Sequence, residues 1–219
     1  MDIYETEEQQ VDAIKGYWKK NGNAIIAGLV IGFSGFVGFN FYQDNQLAQK
    51  LALSDDYQRV LKISQTDTKE FHAQGDAFIT ETVKDKKQSA YAALTALALA
   101  KETVSHKDWA KTEKYLTTAI NTAPSDEIKA IATLRLARVQ IQSEQVEQAL
   151  TTLSAELPSG FIAAVEEIKG DAYFKQGKKE LARNSYQVAI AADGLAASPA
   201  LQVKLDNLAQ VVNLPSLNQ

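Results

Sequence analysis

Cysteine is absent from the 219 residues, and histidine occurs only twice. The first absence excludes disulfides, thiolate chemistry and cysteine-based metal sites, and leaves the compartment to be read from other features. His72 and His106 have no second histidine or cysteine nearby, so neither shows metal-ligand spacing, and both are expected at the surface. Proline is scarce, with four residues, and alternating β-branched runs are few. Ala, Leu, Lys, Gln and Glu are abundant instead, which favours helices throughout. The net charge of −4 comes without a basic stripe, which argues against nucleic acid as a partner. There is no GxSxG nucleophile elbow, and the glycine-dense FSGFVG lies within an apolar run, not between a strand and a helix. Asp55 and Asp56, followed by Arg59, read as a solvated helix face. No catalytic residue, metal, cofactor or small-molecule substrate is expected, and the chain is not read as an enzyme.

Between Lys20 and Asp44 the chain carries no charge, and residues 24 to 42 read AIIAGLVIGFSGFVGFNFY. As a helix rising about 1.5 Å per residue, this run spans roughly 28 Å, close to the hydrocarbon thickness of a bilayer. Lys15, Lys19 and Lys20 precede it, and Trp18, Phe41 and Tyr42 stand near its edges as interfacial anchors. A cleaved signal peptide fits poorly: signal apolar regions are shorter, and this run ends in Phe39, Phe41 and Tyr42 without a small-x-small site. A retained transmembrane helix over 24–43, in contact with membrane lipid, is expected. The three lysines of the N-terminal flank, against a first positive charge at Lys50 beyond the run, put residues 1–23 in the cytoplasm. Asp2, Glu5, Glu7, Glu8 and Asp12 make that tail acidic, but acidic residues count little in this rule. The larger part then faces outward, which in a bacterial cell is the periplasm. Ala24, Gly28, Gly32 and Gly35 share one helix face, a smooth strip where another membrane helix can approach. The alternative is that glycine is simply common in membrane helices.

The rest of the chain breaks into amphipathic stretches separated by short polar punctuation. Within residues 163–193, Gly170, Tyr173, Gly177, Ala182, Tyr186 and Ala189 have the spacing of the tetratricopeptide repeat. Small Gly170 and Ala182 let two antiparallel helices touch, Gly177 turns the chain, and the aromatic rings fill the wedge between helices. One unit earlier, Leu136, Ala137, Ala149 and Leu153 take equivalent places, although Glu156 stands where alanine is usual. A further unit earlier, Leu99, Ala100, Thr112, Leu116, Ala119 and Pro124 match. Three units are the minimum expected for a stable stack. The fold class is all-α: one N-terminal transmembrane helix followed by a tetratricopeptide-like helical-hairpin array. Residues 44–88 form a helical linker and N-terminal cap, with helices at 47–65 and 67–84, the second opened by Asp67 as N-cap with Glu70 three residues on. The repeats fill 89–196. Residues 197–212 form a C-terminal capping helix opened by Pro199 with Leu201, Leu205 and Leu208 on its apolar face, and 213–219, with Pro215, form a loose tail.

The opening IYETEEQQVDAIKGYWKKNGNAI, the glycine-rich anchor, LRLARVQIQSEQVEQAL at 134–150 and LQVKLDNL at 201–208 together resemble the YfgM family of bacterial inner-membrane proteins. The similarity runs through nearly the whole chain. It implies a short cytoplasmic tail, one anchor and a periplasmic tetratricopeptide-like domain. It further implies an ancillary subunit of the SecYEG translocon that works with the membrane-anchored periplasmic chaperone PpiD on secretory client proteins. The family brings no catalytic residues to transfer. Glu156 and Lys169 depart from the repeat pattern, which bears on helix packing.

In such an array the first helix of each repeat lines a concave surface. The register assigns to it Leu94, Leu97, Lys101, Val104, Ile131 and Leu134, then Arg138, Ile141, Ala164, Asp171 and Phe174. This largely apolar lining suits an apolar or amphipathic segment of a partner, with Lys101 and Arg138 available to a carboxylate. The asparagine-lysine clamp of relatives that bind chaperone tails is not apparent. Alternatively the helices at 47–84, or the last helix, fill the groove as ordinary core. A second functional reading is a self-associating membrane scaffold, or a protein that binds a stress regulator, in which the glycine strip pairs identical anchors.

Overall fold

The computed structural model describes residues 7–84 and 88–208, with side chains from Gln10 onward, and every regular element among them is helical. The expected tail 213–219, residues 209–212 of the capping segment and the start of the acidic N-terminal tail lie outside the described residues. The chain divides into two compact units, one ending at Ala52 and one beginning at Leu53.

Helix α1 runs Glu7–Ile63. A separate helix over 47–65 is corrected: its residues continue α1, because no proline or glycine stands between Asp44 and Ile63 and the intervening Gln, Leu, Ala and Lys all support a helix. In the first unit α1 is long and apolar enough to cross a membrane, and none of its apolar stretch is buried within the protein. Ile31, Phe33 and Phe41 are 72%, 71% and 75% exposed. Each such side chain forgoes roughly 1.5–3 kcal/mol of burial in water, a cost that a surrounding lipid phase removes.

The second unit stacks three helical hairpins. These are α3 (Ala90–Ser105) with α4 (Trp109–Thr122), α5 (Asp126–Gln142) with α6 (Val146–Thr152), and α7 (Ile162–Lys175) with α8 (Lys179–Ala191). Ser89, Asp108 and Ser125 cap α3, α4 and α5 by accepting from the backbone N–H three residues on. Such caps are each worth about 0.5–2 kcal/mol. Every hairpin turns through one residue in the left-handed region: Lys107 (φ 57°), Glu144 (φ 65°) and Gly177 (φ 75°). In each case the next N–H returns to a carbonyl five residues back: Asp108 to Thr103, Gln145 to Gln140 and Lys178 to Tyr173. The third turn alone uses the residue that suffers no Cβ penalty there.

Packing explains the remaining repeat positions. A Cβ on Gly170 would lie 2.3 Å from the Tyr186 ring, so glycine is what lets α7 and α8 close on that aromatic. Ala119, Ala137, Ala149, Ala182 and Ala189 are fully buried, and small side chains at these points let helix axes approach. Helix α6 ends at Thr152, so Glu156 lies in the connection beyond it, not at a repeat position. Pro158 then disfavours helical geometry at Leu157 and leads into a 3₁₀ turn at Ser159–Phe161.

Short helices cover the ends. Helix α2 (Thr68–Thr82) begins with Asp67 accepting from the Glu70 N–H at 2.9 Å, as expected. Phe71 and Ile79 of α2 join Val60, Ala92 and Leu99 in one core cluster. At the other end lie α9 (Gly194–Ala197) and α10 (Ala200–Asp206), and Leu201 and Leu208 pack with Ala182, Tyr186 and Ala189.

Two substitutions probe this geometry in opposite directions by urea unfolding of the full chain in detergent. Gly170→Ala is expected to destabilise by about 1–3 kcal/mol through overpacking against Tyr186. Lys107→Gly is expected to stabilise by about 0.5–1 kcal/mol by releasing a strained φ.

Candidate functional site

Helices α3 and α5 both pack on α4, and residues of all three line an open cavity of about 290 Å³. Its floor is apolar, from Leu97, Ala100, Val104, Leu116 and Val139, and its rim carries Lys101, Arg135 and Arg138. Four residues expected on the concave surface, Leu97, Lys101, Val104 and Arg138, are thus brought together. Arg135 and Val139 were not singled out from the sequence. The signal was there, since Arg135 is three residues before Arg138 and therefore shares its helix face. The end helices leave this groove open: α2 packs on α3, and α10 packs on α8 and α9.

The other expected lining residues separate into three groups. Leu94, Ile131 and Phe174 remain exposed, Phe174 at 52%. Leu134 and Ile141 are corrected to core positions, 5% and 7% exposed, packed with Val165, Ile168 and Ala172 between α5 and α7; Ala164 packs against the same cluster. They lie on the side of α5 that the third hairpin covers, which the register of a single helix does not reveal.

Asp171 is also corrected. Its carboxylate accepts from the Tyr186 hydroxyl at 2.8 Å and from the Lys204 ammonium at 2.8 Å, so it is engaged in holding α10 to α7. Lys204 donates to Glu167 at 2.8 Å as well, and Ser198 donates to the same Glu167 at 2.9 Å. Burial opposes the Lys204 charge, but the hydrogen bonds to Asp171 and then Glu167 outweigh it and hold the ammonium's pKa above its ordinary 10.5. Burial first, then the bond to Asp171, pushes the Tyr186 phenol well above its usual value.

His72 departs from the expected surface position. It is half-buried on α2, with Nδ1 3.0 Å from the Tyr115 hydroxyl and Nε2 against the Glu102 carboxylate. Exposed His106 approaches the other oxygen of Glu102 at 2.9 Å. Tyr115 in turn donates to Asp76 at 3.3 Å. Burial, followed by the charge and hydrogen bond of Asp76 and then the charges of Glu102 and Asp108, raises the Tyr115 phenol to about 12. These contacts tie α2 to α3 and α4. Among the described residues no group of three His, Asp or Glu side chains is arranged to hold a metal ion.

In the first unit Gly28, Gly32 and Gly35 have nothing within 4 Å of where a Cβ would be, and Ala24 is exposed, so the small-residue face of α1 is uncovered.

The raised pKa of Lys204 sets a pH dependence. The folded state holds this proton more tightly than the unfolded chain, so the stabilisation is complete below about pH 10.5 and is lost as the pH rises through the higher folded value. Lys204→Met is therefore expected to cost about 1–2 kcal/mol at neutral pH. Thermal melting followed by circular dichroism should show the gap between the two proteins closing only in strong alkali.

Residues 15–210 match the model of the tetratricopeptide repeat-like domain family. The chain is 34% identical to a protein of Aggregatibacter actinomycetemcomitans over 92% of its own length and 97% of the relative's. It is 29% identical to a protein of Escherichia coli K12 over 95% of this chain and 99% of that one. A protein of Neisseria gonorrhoeae is 25% identical over 92% of this chain and 97% of its own. Each of these relatives is named as an ancillary SecYEG translocon subunit, not as an enzyme. No solved structure gives a significant match. An exposed membrane-length helix, a stack of three tetratricopeptide-like hairpins and similarity along almost the full chain agree: the protein belongs to the tetratricopeptide repeat-like domain family and, within it, to the YfgM family that its sequence resembles.

Proposed function

We propose that this protein is an ancillary subunit of the SecYEG translocon of a bacterial inner membrane, whose hairpin array links emerging secretory proteins to a periplasmic chaperone such as PpiD. One observation carries the reading. A single chain joins an apolar, lipid-suited helix to a hairpin stack and aligns almost end to end with proteins named as translocon subunits.

In this reading residues 1–23 are cytoplasmic, 24–43 cross the bilayer, 44–88 link and cap, 89–196 form the repeats, and 197–212 cap them in the periplasm. Lys15, Lys19 and Lys20 on the N-terminal side support that orientation through the positive-inside rule. The face of Ala24, Gly28, Gly32 and Gly35 docks on a translocon helix. In lipid, helices associate through close packing, and a strip without side chains admits it. The array works by binding, through the groove of Leu97, Lys101, Val104 and Arg138 and the exposed Leu94, Ile131 and Phe174 beside it. No bond is made or broken by the protein itself.

Photo-crosslinkers introduced at Gly32 and at Val104 in native membranes test the reading. Capture of translocon subunits from Gly32, and of chaperone or secreted protein from Val104, is the expected outcome. Exclusive capture of a second copy from Gly32 would instead support the self-associating scaffold. Protease added to intact spheroplasts should digest the portion beyond Asp44, and survival of that portion contradicts the orientation.

A further inference from the structure

The groove lined by α3, α4 and α5 combines two features at one place. Its floor is apolar, formed by the edge of the core at Leu97, Ala100, Leu116 and Val139, with Val104 exposed beside it. Its rim holds three cations, Lys101, Arg135 and Arg138, and all three are exposed and make no ion pair or side-chain hydrogen bond among the described residues. Elsewhere in the second unit some cations are paired, such as Lys111 with Asp108, Lys169 with Glu166 and Lys204 with Glu167, and others are not; what sets Lys101, Arg135 and Arg138 apart is that they gather around one apolar cavity. The chain as a whole is anionic, with a net charge of −4, so three cations gathered around one cavity make a local positive patch against that average.

From this we infer that the groove is a docking site for an acidic amphipathic segment of a partner protein. Its apolar side chains enter the floor, and its carboxylates meet Lys101, Arg135 and Arg138. The inference deepens the proposed function and rests on its reading of the array as a binding module. A cavity of about 290 Å³ holds anchor side chains of a peptide and falls at the lower edge of the roughly 300–1,000 Å³ typical of small-molecule sites. The aliphatic floor offers nothing to a sugar-phosphate backbone, whereas helix-in-groove binding uses apolar anchors at i, i+3, i+4 and i+7. Two guanidinium forks three residues apart on α5 match carboxylates projecting from the flank of such a helix. Because the cations are exposed, they act on partner choice and on association rate, with strong dependence on salt.

The test uses the full chain in a mild non-ionic detergent and two labelled amphipathic helical peptides with one leucine face, their polar faces made of glutamate or of lysine. The glutamate peptide is expected to bind at least about tenfold more tightly than the lysine peptide, and to weaken as salt rises. The double variant Arg135→Glu with Arg138→Glu should reverse that preference. Val104→Asp should weaken the glutamate peptide by about tenfold or more by charging the floor. All these positions are on or near the surface, and unchanged helicity and melting temperature establish that each variant is folded. Arg138→Gln provides a milder variant, expected to weaken the glutamate peptide without inverting the preference.

Equal binding of both peptides, or a preference unmoved by the double variant, overturns the inference. Displacement of the glutamate peptide by anionic phospholipid vesicles, with no response to the Val104 change, also overturns it and identifies a lipid headgroup as the occupant. Failure here is distinct from failure of the proposed function. If the peptide preference fails while the unaltered protein still crosslinks to the translocon from Gly32, the groove assignment alone is lost. If that crosslink is missing in the unaltered protein, the functional reading falls as well.

Discussion

A helical hairpin cannot bury its own apolar face, and the second unit follows from that constraint. Each hairpin must find cover on a neighbour, and cover requires backbones to come close. The sequence supplies alanine or glycine wherever helices meet: Ala96, Ala119, Ala137, Ala149, Ala172 and Ala182 are fully buried, and Gly170 yields its side-chain space to Tyr186. Leu99, Leu116 and Ile168 fill the volumes between those contacts. The stack is held by such close approaches more than by large side chains, and so a single added methyl group at Gly170 is felt across the α7–α8 pair.

Apolar contact leaves the ends of the stack to be secured, and polar groups do this at both. At one end His72 and Tyr115 join α2 to α3 and α4 through Glu102 and Asp76. At the other, Lys204 spans Glu167 and Asp171 and sets α10 against α7. Charge-assisted bonds in half-buried settings are directional where apolar burial is not, and so they fix the position of a short helix whose burial alone is small. Helices of seven residues such as α10 have little stability of their own and depend on these tethers.

The places left uncovered are the ones suited to binding. Along α1 the large apolar side chains and the glycine face meet nothing within the protein, a condition suited to lipid and to a neighbouring membrane helix. In the hairpin array the uncovered place is smaller and differently made, with aliphatic side chains below and unmatched cations above. Neither surface carries an arrangement of nucleophile, base or metal ligands among the described residues. The relatives with which the chain aligns are named as translocon subunits.

Much of this was legible in the amino-acid order. The uncharged run from Ala24 to Tyr42, the periodic small residues of the three hairpins and the Asp67 cap are local signals, set by the length of a bilayer crossing, by helix period and by cap chemistry. A helix period, however, says which residues share a face and not what that face meets. Leu134, Ile141 and Asp171 lie on the expected side of their helices, yet the third hairpin and α10 cover them; Arg135 and Val139 complete the groove because α4 and α5 come together there. His72, unremarkable in sequence, becomes half-buried because α2 lays it against Tyr115 and Glu102. The sequence by itself determined the elements, the anchor and the repeat; the tertiary structure decided which side chains stayed free, because burial and charge pairing depend on residues that are distant along the chain.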